Sequence, residues 1–301
     1  LFHAMFSVML FCMVFMLYPR ASISAKRIMA VLNTETSIEN HPGNAQTDSG
    51  SGEHSVIFEH VDFVYPDGEE AVLKDISFSA KSGETVAFIG STGSGKSSLI
   101  QLIPRFYDRA SGNIYIDGQK IEDLDINALR SKIGFVPQKA HLFSGTIEEN
   151  IRFGKPDATM DEIIHAAKIA QAYDFIMEKP HQFQEQIVEG ATNVSGGQKQ
   201  RLSIARALIR KPEIYIYDDS FSALDFKTDA RLRKALKPEI KNAIVFLVAQ
   251  RVSTILDADK IVVLDEGKIA GIGTHRELLA SCPIYYEIAA SQLSKEELTY
   301  A

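Results

Sequence analysis

The fold of this chain is decided by one stretch, Gly90-Ser91-Thr92-Gly93-Ser94-Gly95-Lys96-Ser97, which matches the phosphate-loop pattern G-x-x-x-x-G-K-[ST] at every position. Residues 85–89 before it form a short β-branched and aromatic run, typical of a buried strand. Residues 98–103 after it have the apolar spacing of a helix. Strand, glycine-rich turn and helix in this order are the context that a phosphate loop requires. The sequence therefore predicts a nucleotide phosphate site here.

The residue types of the loop explain how it would hold phosphate. Gly93 and Gly95 let the backbone curl so that successive N–H groups face the β- and γ-phosphates, with the helix dipole behind them. Lys96 adds a mobile positive charge for the terminal phosphates, and the Ser97 hydroxyl is suited to Mg²⁺. The predicted nucleotide-binding residues of this loop are Gly90, Ser91, Thr92, Gly93, Ser94, Gly95, Lys96, Ser97 and Ser98.

Composition limits the class of protein. The chain has 301 residues, 45% of them hydrophobic and 24% charged, which is ordinary for a globular protein with a substantial core. A net charge of −7 and the absence of a basic stripe argue against nucleic acid as the main partner. The two cysteines, Cys12 and Cys282, offer neither a disulfide framework nor metal-ligand spacing. This usage fits a reducing compartment.

The N-terminal region is apolar and ends in basic residues. Residues 1–18 contain no Asp, Glu, Lys or Arg, and the run is just short of the roughly 20 residues that span a bilayer. Arg20, Lys26 and Arg27 follow, so the positive-inside rule places the downstream chain in the cytoplasm. We expect residues 1–32 to be the end of a longer membrane domain, with residues 21–32 as an amphipathic helix leaving the membrane. A buried helix of a soluble core stays open as the alternative.

The rest of the chain is organised as a linker followed by a mixed α/β domain. Residues 33–55 are rich in Gly, Ser, Asn and Thr and have the composition of a linker. Strands are predicted at residues 56–65, 72–80 and 113–117, which would form an antiparallel layer around the phosphate-loop strand. Further core strands are predicted at residues 213–217, 243–248 and 260–264.

A helical insert is predicted between these strands, over about residues 139–211. Three pairs of residues in it have the spacing of a capping box, in which a Ser or Thr and a Glu or Gln three positions later satisfy the start of a helix. The pairs are Thr146 with Glu149, Thr159 with Glu162, and Ser195 with Gln198. We expect the domain to cover residues 56–280, followed by a helical tail at residues 281–301.

The third of these helices opens with Val194-Ser195-Gly196-Gly197-Gln198-Lys199-Gln200-Arg201, which resembles the signature of ATP-binding cassette (ABC) proteins. From about residue 56 to residue 280, the chain resembles the nucleotide-binding domain of ABC transporters of the exporter type. The stretch from Leu142 to Ile151 also follows the exporter pattern. The resemblance implies an α/β fold, a P-loop NTPase (RecA-like) core with an antiparallel β layer and a helical subdomain. It also implies ATP and Mg²⁺ as ligands and a dimer of two such domains.

The resemblance assigns further residues to the nucleotide. Tyr65 matches the aromatic residue that stacks on adenine, and Gln138 matches the glutamine that reaches Mg²⁺ and the attacking water. Asp218 ends the strand Ile214-Tyr215-Ile216-Tyr217 and would hold Mg²⁺ together with Ser97. In the dimer the signature completes the nucleotide site of the opposite subunit, so Ser195, Gly196, Gly197 and Gln198 are predicted nucleotide-binding residues.

Two positions depart from the family pattern at the catalytic apparatus. The general base is normally Glu, and here it is Asp219. The switch position normally holds His, and here it holds Gln250, which can donate a hydrogen bond but cannot carry a charge. We take Asp219, Gln250 and Gln138 as the candidate catalytic residues of a site that binds ATP well and hydrolyses it slowly. This pattern resembles the degenerate-site subunit of heterodimeric bacterial multidrug exporters.

The expected function is therefore the ATP-binding subunit of an exporter in the bacterial plasma membrane, with its nucleotide-binding domain in the cytoplasm. Its partner would be a second half-transporter, in a heterodimer or, as the open alternative, a homodimer, and the cargo a drug, lipid or peptide. Two alternatives remain: a regulatory subunit with little turnover, and a soluble ABC ATPase acting on nucleic acid or ribosomes. A small-molecule kinase would not need the motif from Ser195 to Gln198.

Overall fold

A computed structural model describes residues 1–34, 36, 38–40, 54–294 and 298 of the chain. They fall into two compact units, Leu1–Glu39 and Asn40–Ala301. Most of the predicted linker and the end of the predicted C-terminal tail lie outside the described residues.

The first unit is one long helix, α1 (Phe2–Leu32), with Pro19 inside it and no buried side chain. Its length and apolar composition are sufficient to cross a membrane. The sequence analysis treated residues 1–18 and residues 21–32 as separate segments. In the structure both belong to one helix, because the helical hydrogen bonding does not end until Asn33. A membrane location for α1 remains a prediction.

The second unit contains twelve strands and nine helices among the described residues. The strands are β1 (Ser55–Phe63), β2 (Leu73–Lys81), β3 (Thr85–Gly90), β4 (Ser111–Ile116), β5 (Gln119–Lys120), β6 (Ile133–Val136), β7 (Gly145–Thr146), β8 (Gln186–Ile187), β9 (Ile214–Asp218), β10 (Ile244–Val248), β11 (Lys260–Asp265) and β12 (Lys268–Gly273). The helices are α2 (Lys96–Leu102), α3 (Ile126–Ser131), α4 (Ile147–Arg152), α5 (Met160–Ile169), α6 (Tyr173–Met177), α7 (Gly196–Leu208), α8 (Phe226–Glu239), α9 (His275–Ser281) and α10 (Pro283–Ala290).

A six-stranded sheet carries the site. Its strand order is β12-β11-β3-β10-β9-β6, and all neighbours are parallel except β12, which pairs antiparallel with β11 at the edge. Strands β9 and β10 are buried along their whole length, in keeping with their nearly continuous apolar sequence. Parallel strands end at the same edge of a sheet, so the residues that follow β3, β6, β9 and β10 are brought together there.

The predicted antiparallel layer is a separate four-stranded sheet in the order β2-β1-β4-β5. The sequence analysis expected this layer to surround β3. The layer is not hydrogen-bonded to β3 and instead packs against the six-stranded sheet through apolar side chains. Phe78 of β2 stacks with Phe58 at 4.6 Å between ring centroids and meets Phe88 of β3 edge-on at 5.5 Å. Both sheets are thus joined by one apolar core.

Four α-helices, α4 to α7, lie in the region of the predicted helical insert, and three of them begin with the capping boxes that the spacing predicts. The side-chain oxygens of Thr146, Thr159 and Ser195 each accept a hydrogen bond from the backbone N–H three residues later. The Glu or Gln side chain at that later position accepts a hydrogen bond from the backbone N–H of the Thr or Ser. A fourth box of the same spacing, Thr274 with Glu277, starts α9 and was not identified from the sequence. The short strands β7 and β8 pair antiparallel within this insert.

Candidate ATP site

The loop between β3 and α2 has a backbone that only glycine adopts freely. Gly93 and Gly95 have φ angles of +85° and +95°, in the left-handed region. At Gly90 a Cβ atom would lie 2.0 Å from the backbone oxygen of Leu264, so only hydrogen fits. The glycines of the motif are thus required by the geometry, and the loop curls as a phosphate cradle must.

Lys96 at the start of α2 is folded back over this loop. Its Nζ donates to the backbone oxygens of Gly90 and Ser91 at 2.9 and 2.7 Å and to the Ser94 hydroxyl at 3.2 Å. Burial lowers the pKa of Lys96, and the nearby carboxylates of Asp219 and Asp218 oppose that shift. The ammonium group of Lys96 therefore lies within the loop, and phosphate oxygens can replace the loop oxygens that accept its hydrogen bonds.

Ser97 and Asp218 meet at the end of β9. The Ser97 hydroxyl donates to Oδ1 of Asp218 at 2.9 Å, although 121 residues separate the two in the chain. Asp218 is buried, and burial raises the pKa of its carboxyl, with a further contribution from the adjacent Asp219. A hydroxyl and a carboxylate oxygen are the hard donors that Mg²⁺ prefers, and two buried neighbouring carboxylates favour a cation between them. The residues therefore fit Mg²⁺.

Asp219 is held by two neutral amides. Its Oδ2 accepts hydrogen bonds from Nε2 of Gln250 at 2.6 Å and Nε2 of Gln138 at 3.2 Å. Burial is the main cause that raises the pKa of Asp219. Its backbone is left-handed, with φ of +47°, and its N–H donates to the Val248 oxygen at 3.1 Å. The three candidate catalytic residues are thus brought into one cluster.

Tyr65 lies close to the phosphate-loop helix, as an adenine-binding residue should. Its hydroxyl is 2.8 Å from that of Ser98, one of the predicted nucleotide-binding residues. Its half-buried ring meets Phe63 and Tyr107 edge-on, with centroid distances of 4.7 and 5.1 Å. These contacts fix the orientation of the ring, and its stacking on adenine stays a prediction.

The signature motif lies apart from these residues. Ser195 and Gly196 are exposed at the start of α7, and the hydroxyl of Ser195 accepts the N–H of Gln198 at 3.3 Å. Within the described part of the chain, no hydrogen bond joins this motif to the phosphate loop. A Cβ atom on Gly197 would lie 3.2 Å from the backbone oxygen of Ala223, so the motif contacts the loop that follows Asp219.

The structure adds residues that the sequence analysis did not select. Ser222 donates its hydroxyl to the backbone oxygen of Asp219 at 2.8 Å. The charge of Arg251 lowers the pKa of Asp219 and partly offsets the effect of burial. The sequence contained a signal for the role of Arg251, because this residue directly follows Gln250. Nothing in the local sequence indicates the contact of Ser222.

Residues 73–222 match the protein family described as ABC transporter. The Bacillus subtilis protein "Uncharacterized ABC transporter ATP-binding protein YfiB" is 45% identical over 287 residues, which are 95% of this chain and 49% of that protein. A Staphylococcus aureus protein named "Putative multidrug export ATP-binding/permease protein" is 48% identical over 237 residues, 79% of this chain and 41% of that protein.

A solved structure described as a bacterial Atm1-family ABC exporter with ATP bound has a TM-score of 0.85 and 34% sequence identity. It matches 94% of this chain, which covers 49% of that protein. The chain spans about half the length of the curated relatives it matches. These matches confirm the P-loop NTPase fold and the resemblance derived from the motifs: the chain belongs to the ABC transporters and carries their ATP-binding domain.

Proposed function

We propose that this chain is the C-terminal part of a half-transporter of an exporter in the bacterial plasma membrane, where it couples ATP binding and hydrolysis in a dimer to the export of a drug, lipid or peptide. In this proposal α1 belongs to the membrane domain, and residues 56–280 form the cytoplasmic nucleotide-binding domain. The relatives named as export proteins and the apolar α1 support it. Its partner is a second half-transporter. We favour a heterodimer because the ATP site of this chain keeps the phosphate-loop pattern but departs from the family pattern at Asp219 and Gln250.

The binding half of the site is complete in this proposal. Lys96 exchanges its bonds to the loop carbonyls for phosphate oxygens, and the N–H groups of the loop bind the same phosphates. Ser97 and Asp218, with Gln138, would hold Mg²⁺, which neutralises phosphate charge when bound. The Tyr65 ring would bind the adenine face.

The observation that carries the proposal of slow turnover is the pair of amides on Asp219. A general base must reach the attacking water, and Asp is about 1.5 Å shorter than Glu. A misplacement of about 1 Å can lower a rate by about 10²-fold. Gln250 also lacks the charge that a histidine can carry at that position. The site is thus suited to holding ATP more than to hydrolysing it.

The exposed signature motif supports a role at a second site. Ser195 presents a hydroxyl and the free N–H groups of α7 to solvent, an arrangement that favours an anion. We propose that it contacts the γ-phosphate held by the partner subunit. The contact of Gly197 with the loop at Ala223 would link that phosphate to Asp219 of this chain.

The face that carries Phe143 and Phe153 supports a membrane-domain partner. These rings are 51% and 64% exposed, lie 4.8 Å apart and flank the guanidinium of Arg206. Exposed aromatic side chains beside a cation favour a protein contact over solvent. We propose that the cytoplasmic loops of the membrane domain contact this face.

The test is to compare two substitutions in a heterodimer reconstituted with the partner half-transporter in lipid nanodiscs. Ser195→Ala should lower ATP hydrolysis by about 10²-fold, because it removes a γ-phosphate donor from the competent site. Asp219→Asn should change total hydrolysis by less than about twofold, because its own site is already slow. Steady-state phosphate release is the measurement.

Thr159→Ala is the matched control for Ser195→Ala. It removes a capping-box hydroxyl from α5 in the same helical insert and should cost a similar ~1 kcal/mol of stability. Hydrolysis should be unchanged in this variant. If Asp219→Asn abolishes hydrolysis while Ser195→Ala is mild, Asp219 is the working base of a homodimer and the asymmetric proposal is wrong. If both substitutions lower ATP hydrolysis only slightly, the chain is a regulatory subunit.

A further inference from the structure

The chain around Gln250 is held from the C-terminal end of the domain. Gln292, just beyond the end of α10, extends its side chain to the backbone of residues 250–252, which we call the switch loop. Its Nε2 donates to the backbone oxygen of Gln250 at 3.0 Å, and its Oε1 accepts the backbone N–H of Val252 at 2.8 Å. One amide therefore bridges both ends of the switch loop, although 42 and 40 residues separate it from them in the sequence.

The bond to Val252 satisfies a buried polar group. Val252 is fully buried and begins a short 3₁₀ turn, Val252–Thr254, that follows β10 outside the sheet. The first N–H groups of a helical turn have no partner within the turn, and a buried N–H without a partner costs about as much as a lost hydrogen bond. Gln292 supplies that partner in place of a neighbouring strand.

Apolar packing fixes the backbone from which Gln292 extends. Tyr285 and Ala289 of α10 are fully buried, and Leu293 packs against the same apolar cluster. Val252 and Ile255 belong to that cluster as well. A close-packed interior leaves its members little room to shift, so the two ends of the bridge are held in a defined relation to each other.

The switch loop also carries the contact to Asp219. Nε2 of Gln250 donates to Oδ2 of Asp219 at 2.6 Å, so the residue whose backbone Gln292 holds is the one whose side chain binds Asp219. A displacement of about 1 Å would carry the Gln250 amide beyond hydrogen-bond distance. Asp219 is the candidate base for the water that attacks the γ-phosphate. Gln250 therefore lies where that phosphate would be in the proposed ATP site.

We propose that Gln292 is a positioning residue for the switch loop, which keeps the Gln250 amide directed at Asp219 and at the γ-phosphate of bound ATP. The contact with the γ-phosphate rests on the proposed ATP site, whereas the bridge from Gln292 to the switch loop does not. ADP has no γ-phosphate. Loss of the bridge should therefore weaken the binding of MgATP and leave that of MgADP almost unchanged.

Two measurements on the full chain in lipid nanodiscs test the proposal. Hydrogen–deuterium exchange resolved to single residues reports on the N–H of Val252, and displacement of a fluorescent ATP analogue by MgATP or by MgADP reports the two affinities. Gln292→Met keeps the length of the side chain and removes both hydrogen bonds. It should speed exchange at Val252 by about tenfold and weaken MgATP binding by about threefold to tenfold, with MgADP binding changed by less than about twofold.

Two variants of the same region serve as controls. Ser291→Ala removes a hydroxyl whose hydrogen bond, 2.7 Å to the backbone oxygen of Ile288, does not reach the switch loop. Tyr285→Phe removes the buried hydrogen bond of 2.6 Å between the Tyr285 hydroxyl and Nδ1 of His275, and it should lower Tm. Both variants should keep the wild-type exchange at Val252 and the wild-type ratio of MgATP to MgADP affinity. Tyr285→Phe thus separates a loss of stability from a loss of positioning.

Each result decides one step of the proposal. Unchanged exchange at Val252 in Gln292→Met overturns the bridge, and the positioning role with it. Faster exchange with an unchanged ratio of the two affinities overturns the positioning role, as does an equal change of that ratio in Tyr285→Phe. If the wild-type chain binds neither nucleotide, the proposed ATP site is wrong and the positioning role falls with it, while the exchange at Val252 still decides the bridge.

Discussion

The phosphate loop and the cluster around Asp219 lie at the same edge of one sheet, yet they differ in how closely they keep the family pattern. Every position of the loop is intact, and its glycines adopt the backbone that the pattern requires. At the cluster, Asp219 and Gln250 replace the expected Glu and His. From this difference we expect affinity for ATP and its hydrolysis to depend on separate groups, with affinity retained and hydrolysis slowed in this chain.

The largest expected effect comes from restoring the cluster. Asp219→Glu/Gln250→His in the isolated chain should raise Mg²⁺-dependent ATP hydrolysis by about 10²-fold, because it returns a base with the usual reach and a donor that can charge. Phosphate release at saturating ATP is the measurement. An unchanged rate would show that these two positions do not limit turnover.

Removing the charge of the loop tests the other region. Lys96→Ala should weaken the binding of a fluorescent ATP analogue by about 10- to 100-fold, because charge-assisted hydrogen bonds to phosphate are lost. Lys268→Ala, an exposed lysine of β12, is the control and should leave affinity unchanged. Equal affinity in both variants would contradict the assignment of the phosphate loop.

The smallest effect concerns stability and pH in the absence of Mg²⁺. The pKa of Asp219 is raised by burial, so the folded state holds its proton more tightly and stability falls as pH rises above about 4. Asp219→Asn removes that buried charge and should raise Tm by about 2–4 °C at pH 7. The gain should disappear below about pH 4, where the native carboxyl is protonated as well.

Asp225→Asn is the matched control for this measurement. Asp225 caps α8, and its pKa is lowered by hydrogen bonds, chiefly from Thr228. Its negative charge is stabilised in the fold, so its removal should leave Tm unchanged or lower it. A gain in Tm equal to that of Asp219→Asn would assign the effect to net charge and contradict burial as the cause.

The features that the sequence predicted are those set by local pattern. Strands β9, β10 and β11 lie within one residue of their predicted bounds, because continuous apolar runs with turn residues at both ends favour a single structure. The three predicted capping boxes form because Ser or Thr and a Glu or Gln three positions on interact within one helical turn. The resemblance of the motifs to ABC proteins implied the P-loop NTPase fold, which the matches confirm.

The features that were not predicted depend on residues distant in the chain. The hydrogen bond between Gln138 and Asp219 joins residues 81 positions apart, and its geometry depends on where β6 and β9 end in the same sheet. The hydroxyl of Tyr217 has no hydrogen-bond partner among the described residues, and an aromatic residue in a buried strand shows no sign of this in the sequence. The sequence analysis did not predict that the strands divide into two sheets. Alternation of apolar and polar residues predicts where a strand lies but not which strands pair with it.

The left-handed backbone of Asp219 has a consequence for the evolution of this position. Asp and Asn are enriched several-fold among non-glycine residues with positive φ, because their short side chains bond locally to the backbone. At φ of +47°, and with its N–H fixed to β10, this position is less favourable for a longer side chain than for Asp. Selection for a fast base and selection for a relaxed main chain therefore oppose each other at one residue. If a partner subunit supplies turnover, as proposed above, a subunit of this kind can accept the conformationally easier side chain at this position.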